Sequence, residues 1–263
     1  MSLIIFTDLD GTLLDHETYS WAAATPALDE LKRRDVPLIM ASSKTAAEIA
    51  PLREKAGFAH CPAIVENGAG ILPAGDFTDD HDVAAYRVIR DALAEVSPDL
   101  RKKFTGFGDM TVAEIAASTG LSSENADLAA RRAFSEPGVW TGTDDGRAMF
   151  ISELENLGVT GRYGGRYLTL SLGGTKAARM DEIINMLELT NAFSVALGDA
   201  PNDVEMLERA DRGFIIMNTH GKPILHLAGE DDGRIKRTEL AGPAGWNDAV
   251  LSVVSQRTNK FGV

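Results

Sequence analysis

The chain has 263 residues and a formal charge of −13, with 44% hydrophobic and 25% charged residues, a balance that predicts a soluble core domain carrying a smaller insert. A pI near 4.8 sets the long-range field against nucleic acid and anionic membrane, so neither is expected as a partner. One cysteine, Cys61, allows neither an internal disulfide nor a Cys/His zinc cluster; with no signal-peptide pattern and no run near the ~18 apolar residues of a membrane span, a cytoplasmic setting is expected.

In chain order, short apolar runs alternate with amphipathic stretches. Leu3–Phe6, Val36–Ala41 and Ala63–Val65 predict strands, separated by helices over Pro26–Arg34 and Thr45–Ala56. Continuous Val/Ile/Leu strands between helices imply an α/β fold with a parallel sheet covered on both faces, and functional residues at the carboxyl ends of its strands. The polar stretch Gly75–Asp82 and Ser171–Thr175 predict two linkers, dividing the chain into core (1–80), insert (81–172) and core (173–263). Within the insert, helices are expected over Val83–Val96, Thr111–Ser118, Ser123–Ala133 and Asp144–Leu157, and strands over Val159–Tyr163 and Tyr167–Leu172. The core pattern then resumes with a helix (Thr175–Leu189), a strand (Phe193–Leu197), a helix (Pro201–Arg209), a strand (Gly213–Met217) and a helix (Ala244–Ser255).

Asp8 and Asp10 follow the first strand, and residues two apart on an extended chain point to one side. A calcium loop does not fit them, because the glycine comes too early and Tyr19 stands where the bidentate glutamate belongs. Asp199 and Asp203 follow a later strand, with Pro201 suited to a first helical turn. If these carboxylates converge to ~4 Å, each pair repels by roughly 4 kcal/mol at an effective dielectric near 20, so the cluster requires a cation. Oxygen ligands without His or Cys favour Mg²⁺. Ser42, Ser43 and Lys44 precede a Thr45-x-x-Glu48 capping-box pattern, where hydroxyls and free amides suit an anion. Lys176, after Gly173-Gly174, offers a point charge to a phosphate.

Asp8-x-Asp10-Gly-Thr, Ser42, Lys176 and Gly198-Asp199-x-x-Asn202-Asp203 resemble, in order, the four motifs of the haloacid dehalogenase-like phosphohydrolases. That resemblance implies a Rossmann-like parallel-sheet core with an inserted α/β cap. It implies Asp8 as nucleophile, Asp10 as general acid and base, and Ser42 and Lys176 as phosphoryl-binding groups. It further implies Mg²⁺ at Asp8, Asp10 (through its carbonyl) and Asp199, with Asp203 orienting that shell. Ser42–Thr45, Glu66-Asn67-Gly68, Gly106–Val112, Arg132 with Phe134–Pro137, and Gly242–Trp246 are similar to the mannosyl-3-phosphoglycerate phosphatase branch. This implies a small anionic phosphorylated substrate, a glycosyl-3-phosphoglycerate, met by Ser43, Lys44, Glu66, Asn67, Gly68, Arg132 and Asn202. The chain departs from that branch at Ala133, where a glutamate is usual.

Rival readings are a phosphatase for another sugar phosphate, a phosphomutase, and a helix-turn-helix DNA reader over Thr111–Glu124. The last would place Glu124, Asn125 and Asp127 where positive charge is needed. The histidines show no paired metal spacing, and the tryptophans are expected in packing.

Overall fold

The computed structural model describes residues 2–76, 82–164 and 166–260. Its strands are, in chain order, β1 (Leu3–Thr7), β2 (Leu38–Met40), β3 (Ala63–Val65), β4 (Gly70–Leu72), β5 (Phe104–Gly106), β6 (Ser135–Trp140), β7 (Thr160–Gly164), β8 (Tyr167–Ser171), β9 (Phe193–Gly198), β10 (Arg212–Met217) and β11 (Ile235–Ala241). Every residue of β1 and β2 is buried, as strands covered on both faces require. They belong to a five-stranded sheet in the order β11-β10-β9-β1-β2, parallel at every pairing. The chain winds outward from β1 to β2 on one side and from β9 to β11 on the other. The carboxyl ends of β1 and β9 therefore flank a crevice.

The core elements expected from the apolar runs are present, with ends displaced by a few residues. Thr45 caps the helix Ala46–Ala56: its hydroxyl accepts from the Glu48 amide at 3.2 Å, and the Glu48 carboxylate accepts from the Thr45 amide at 2.8 Å. The last helix is longer than expected, Gly242–Lys260. A β3–β4 ribbon, of which only β3 was expected, joins the sheet through a parallel bridge between Ala41 and Ile64.

The second sheet, antiparallel in the order β5-β6-β8-β7, lies within the expected insert. One face packs on the helices Ala84–Glu95 and Asp144–Asn156, burying Ile89, Leu93, Phe150, Leu154, Leu168 and Leu170. Burial alternates along β8, so Thr169 and Ser171 face the other way, toward the core. The expected strands correspond to β7 and β8, whereas β5 and β6 were not anticipated. The first expected linker lies largely outside the described residues; in the second, Gly173 and Gly174 take φ of +102° and +94°.

One expected helix is shorter than its apolar pattern suggests. It runs Ser123–Ala130 instead of to Ala133, because the chain turns to aim amides at a buried carboxylate. Glu66 Oε1 accepts from the Ala133 amide at 2.9 Å, and Oε2 accepts from the Phe134 amide at 3.2 Å and the Ser135 hydroxyl at 2.7 Å. The same helix buries Ala126 and Ala129, and the Thr45 hydroxyl donates to the Leu128 carbonyl at 2.9 Å. The exposed start of this helix carries Glu124 and Asn125, which offer no positive charge to a DNA backbone.

Glu66→Ala is expected to be among the most destabilising single changes, by ~3–5 kcal/mol, because it strands a buried arginine and several donors. Urea unfolding measures it; a loss within 1 kcal/mol, on the order of a surface substitution, would show the seam to be unimportant.

Candidate active site

The crevice is built from strand ends. Asp8 follows β1, and its amide donates to the Leu197 carbonyl of β9 at 2.9 Å, extending the ladder by one residue. Behind it, the buried Trp246 indole donates to the Thr7 hydroxyl at 2.9 Å, and that hydroxyl donates to the Asp8 carbonyl at 2.7 Å. Trp246 thus fixes the backbone beneath Asp8. Asp199 follows β9, and Gly11 must lack a side chain, since a Cβ there would lie 2.8 Å from Asp199 Oδ2. Lys176 begins the helix Lys176–Met186, capped by the Thr175 hydroxyl, which accepts from the Ala178 amide at 3.1 Å. Gly68, at φ +91°, packs against that helix start; a Cβ would fall 2.2 Å from the Thr175 carbonyl carbon.

Lys176 Nζ donates to Asp8 Oδ1 at 2.7 Å and to Asp203 Oδ1 at 2.6 Å, all three side chains being buried. The other Asp203 oxygen accepts from the Asp199 and Ala200 amides, each at 3.1 Å. Asp199 accepts from the Thr12 hydroxyl at 2.6 Å and from Asn218 Nδ2 at 2.5 Å. Burial pushes Asp8 well above the usual carboxylate range, aided by Asp203 and Asp199 and opposed by Lys176. Burial, with Asp203 beside it, likewise lifts Asp199 to about 6 against the hydrogen bonds from Thr12 and Asn218. For Lys176 burial acts against the charge, but Asp203 and Asp8 outweigh it and hold the ammonium above its ordinary value.

Oxygens of Asp8, Asp199 and Asp203 lie within 4.8 Å of one another. One ammonium does not balance that charge, and an all-carboxylate donor set suits a hard divalent cation such as Mg²⁺. Asp10 was expected in this cluster, but its carboxylate turns away: Lys44 Nζ lies 3.0 Å from Oδ2, while Oδ1 is buried with no hydrogen-bond partner. Lys44 also faces Glu48 at 3.8 Å; burial alone would lower its ammonium, but Asp10 and Glu48 raise it.

Ser42 is buried after β2, its hydroxyl accepting from the Lys44 amide at 3.3 Å, while Ser43 is exposed. Asn202 Nδ2 donates to Asn67 Oδ1 at 3.2 Å, bridging two of the expected substrate contacts across the crevice. Glu66 and Arg132, also expected on substrate, instead meet each other. Arg132 Nε is 3.2 Å from Glu66 Oε2, and the guanidinium donates to the Ser135 hydroxyl at 2.7 Å and the Ser43 carbonyl at 3.3 Å. Only 7% exposed, Arg132 holds the seam between insert and core, and its charge is already compensated.

A cleft of about 900 Å³ opens above Lys176, roofed by the polar face of β7 and β8. Its cations are Arg162, Arg166 and Lys222, and the rings of His16 and His220 stack on its wall with centroids 4.5 Å apart. None of these was anticipated, because they are single residues from distant segments with no local motif. Asn218 had a signal: it immediately follows β10, at the edge of the sheet where sites form. Thr12 stood within the first motif, yet nothing local showed its hydroxyl aimed at Asp199.

Residues 5–126 and 149–226 match the model of the haloacid dehalogenase-like hydrolases. The chain belongs to this family. A glucosyl-3-phosphoglycerate/mannosyl-3-phosphoglycerate phosphatase of Methanococcoides burtonii is 36% identical to this haloacid dehalogenase-like hydrolase, over 98% of this chain and 100% of that protein. Solved structures share its fold. A phosphatase of the same superfamily from Bacteroides thetaiotaomicron superposes with a TM-score of 0.69 at 17% identity, covering 97% of this chain and 96% of that one. Sucrose-phosphatase from Synechocystis sp. PCC6803, in complex with sucrose and phosphate, gives 0.63 at 15% identity, covering 96% and 98%. Among the described residues, no helix is long and apolar enough to cross a membrane.

Proposed function

We propose that this chain is a Mg²⁺-dependent phosphatase hydrolysing mannosyl- or glucosyl-3-phosphoglycerate to the glycosylglycerate and phosphate, through an aspartyl-phosphate on Asp8. The observation that carries this reading is Asp8 itself. It is held by Lys176 beneath a cleft with cationic side chains on its walls, in a chain colinear with a relative named for those substrates.

An Asp8 oxygen forms the bond to phosphorus as the ester P–O bond breaks, and Asp10 gives its proton to the departing glycerate oxygen. Asp10 then takes a proton from the water that attacks the aspartyl-phosphate, releasing phosphate and restoring Asp8. Two observations support that role for Asp10: its Oδ1 has no hydrogen-bond partner, and Lys44 Nζ lies 3.0 Å from its Oδ2. Lys176 and Ser42 bind the transferring group. Asp8, the Asp10 carbonyl and Asp199 would hold Mg²⁺, whose charge offsets that of the phosphoryl oxygens. Asp203 serves as a positioning residue, tying Lys176 to the loop that bears Asp199. Residues 81–172 act as the lid, with Asn67 and Asn202 at the crevice edge and Gly68 bracing Lys176.

Phosphate release over a panel of phosphosugars and phosphoglycerates tests the substrate. The glycosyl phosphoglycerate should exceed a simple hexose phosphate in kcat/KM by ~10-fold or more, the worth of one charge-assisted contact. Equal values would reject this reading in favour of a broad sugar phosphatase.

A further inference from the structure

Apart from Lys176, the arginines that line the cleft differ in what they hold. Arg166 donates to the Ser118 carbonyl at 3.4 Å and the Thr119 carbonyl at 3.1 Å, at the carboxyl end of the helix Val112–Thr119. Those carbonyls fix the guanidinium without neutralising it. Arg162, on β7 of the cap, reaches across the cleft instead. Its NH1 lies 3.1 Å from Oε1 of Glu205, on the core helix Val204–Arg209. Both line the cleft, and both side chains are more than half exposed, at 61% and 54%. An ion pair so open to solvent contributes little, so another carboxylate can take either partner's place at small cost.

We propose that a carboxylate on the substrate's leaving group replaces Glu205 on Arg162, so that Arg162 sets specificity for doubly anionic phosphoesters and Glu205 competes with the substrate for it. This rests on the phosphoglycerate reading above. The geometry fits the exchange in two respects. The phosphoryl end of such a substrate is anchored on the core at Asp8 and Lys176, so its carboxylate bound to Arg162 would tie cap to core, as Glu205 does. A substrate with a neutral leaving group leaves the Arg162–Glu205 pair intact and gains nothing from it. Arg is also the side chain that matches a carboxylate with two parallel donors.

The test uses the full-length enzyme with Mg²⁺, a chromogenic aryl phosphate as reporter substrate, and 3-phosphoglycerate and orthophosphate as competitors. Arg162→Gln should weaken inhibition by 3-phosphoglycerate ~10-fold or more while shifting orthophosphate much less. Glu205→Gln should strengthen 3-phosphoglycerate inhibition about two- to fivefold, the range of an exposed pair, and in the Arg162→Gln background that gain should vanish. A Glu205→Gln gain shared equally by orthophosphate, or one that persists without Arg162, would overturn the exchange and leave only a general field effect. Because the readout is competition against an aryl phosphate, it is independent of which glycosyl ester is hydrolysed. If the glycosyl phosphoglycerates prove poor substrates but the cycle behaves as stated, the substrate assignment falls and the carboxylate subsite stands. If they are good substrates and the cycle is flat, the reverse holds.

Discussion

Asp8→Asn is expected to abolish phosphate release to the limit of detection while the protein still folds. The amide cannot form the acyl-phosphate, and no other carboxylate can replace it: Asp199 and Asp203 are committed to Thr12, Asn218, Lys176 and backbone amides. The fold should tolerate the change because Asp8 is a buried carboxylate whose ionised form burial disfavours, and Lys176 keeps its contact with Asp203. Asp10→Asn differs in kind. It leaves the nucleophile but slows proton transfer to the leaving oxygen and from water, a loss of ~10²–10⁴-fold. Phosphate release and mass detection of a trapped phospho-enzyme check both variants. Wild-type turnover in Asp8→Asn would falsify the covalent route.

The sheet that carries Asp8 was legible because its strands are written as uninterrupted apolar runs, a pattern with few alternatives when both faces are buried. The cap was read less completely. β6 is Ser-Glu-Pro-Gly-Val-Trp, and proline and glycine ordinarily argue against an inner strand. Pro137 stands beyond the last β5–β6 pair, Gly106 with Gly138, and is paired on one side only, opposite Thr169 of β8. β11 escaped notice for another reason: at the sheet edge it can be mostly exposed, and Ile-Lys-Arg-Thr-Glu-Leu-Ala shows no alternation. At the site, residues adjacent in a motif were visible, whereas their partners depended on folding. Nothing near Arg132 in sequence shows that Glu66 will neutralise it, and nothing near Arg162 shows that it will face Glu205 across a cleft. A charged residue's availability depends on its tertiary neighbours, which is why the substrate contact expected at Arg132 gives way in our reading to one at Arg162.

Mg²⁺ is expected to raise the midpoint of thermal unfolding, and its removal by a chelator to end turnover. Oxygens of three buried carboxylates lie within 4.8 Å, and two of those groups, Asp8 and Asp199, are pushed toward protonation by burial and by Asp203. A divalent cation at the cluster relieves that repulsion only in the folded chain, so it binds the native state and stabilises it by mass action. At a hundredfold excess over its dissociation constant the gain is ~2.7 kcal/mol. For a chain of this size that corresponds to roughly 5–10 °C. Ca²⁺ should produce part of the thermal shift but support turnover poorly, because with longer bonds and looser geometry it would orient the phosphoryl group less well for attack by Asp8. Asp199→Ala separates metal binding from general charge relief. It removes a carboxylate from the repulsive group, so the apo protein should be no less stable than the cavity alone dictates, yet the Mg²⁺-induced shift should disappear together with turnover. A shift of wild-type size in Asp199→Ala would mean that the cation binds elsewhere, and full activity in excess chelator would exclude the metal from the reaction.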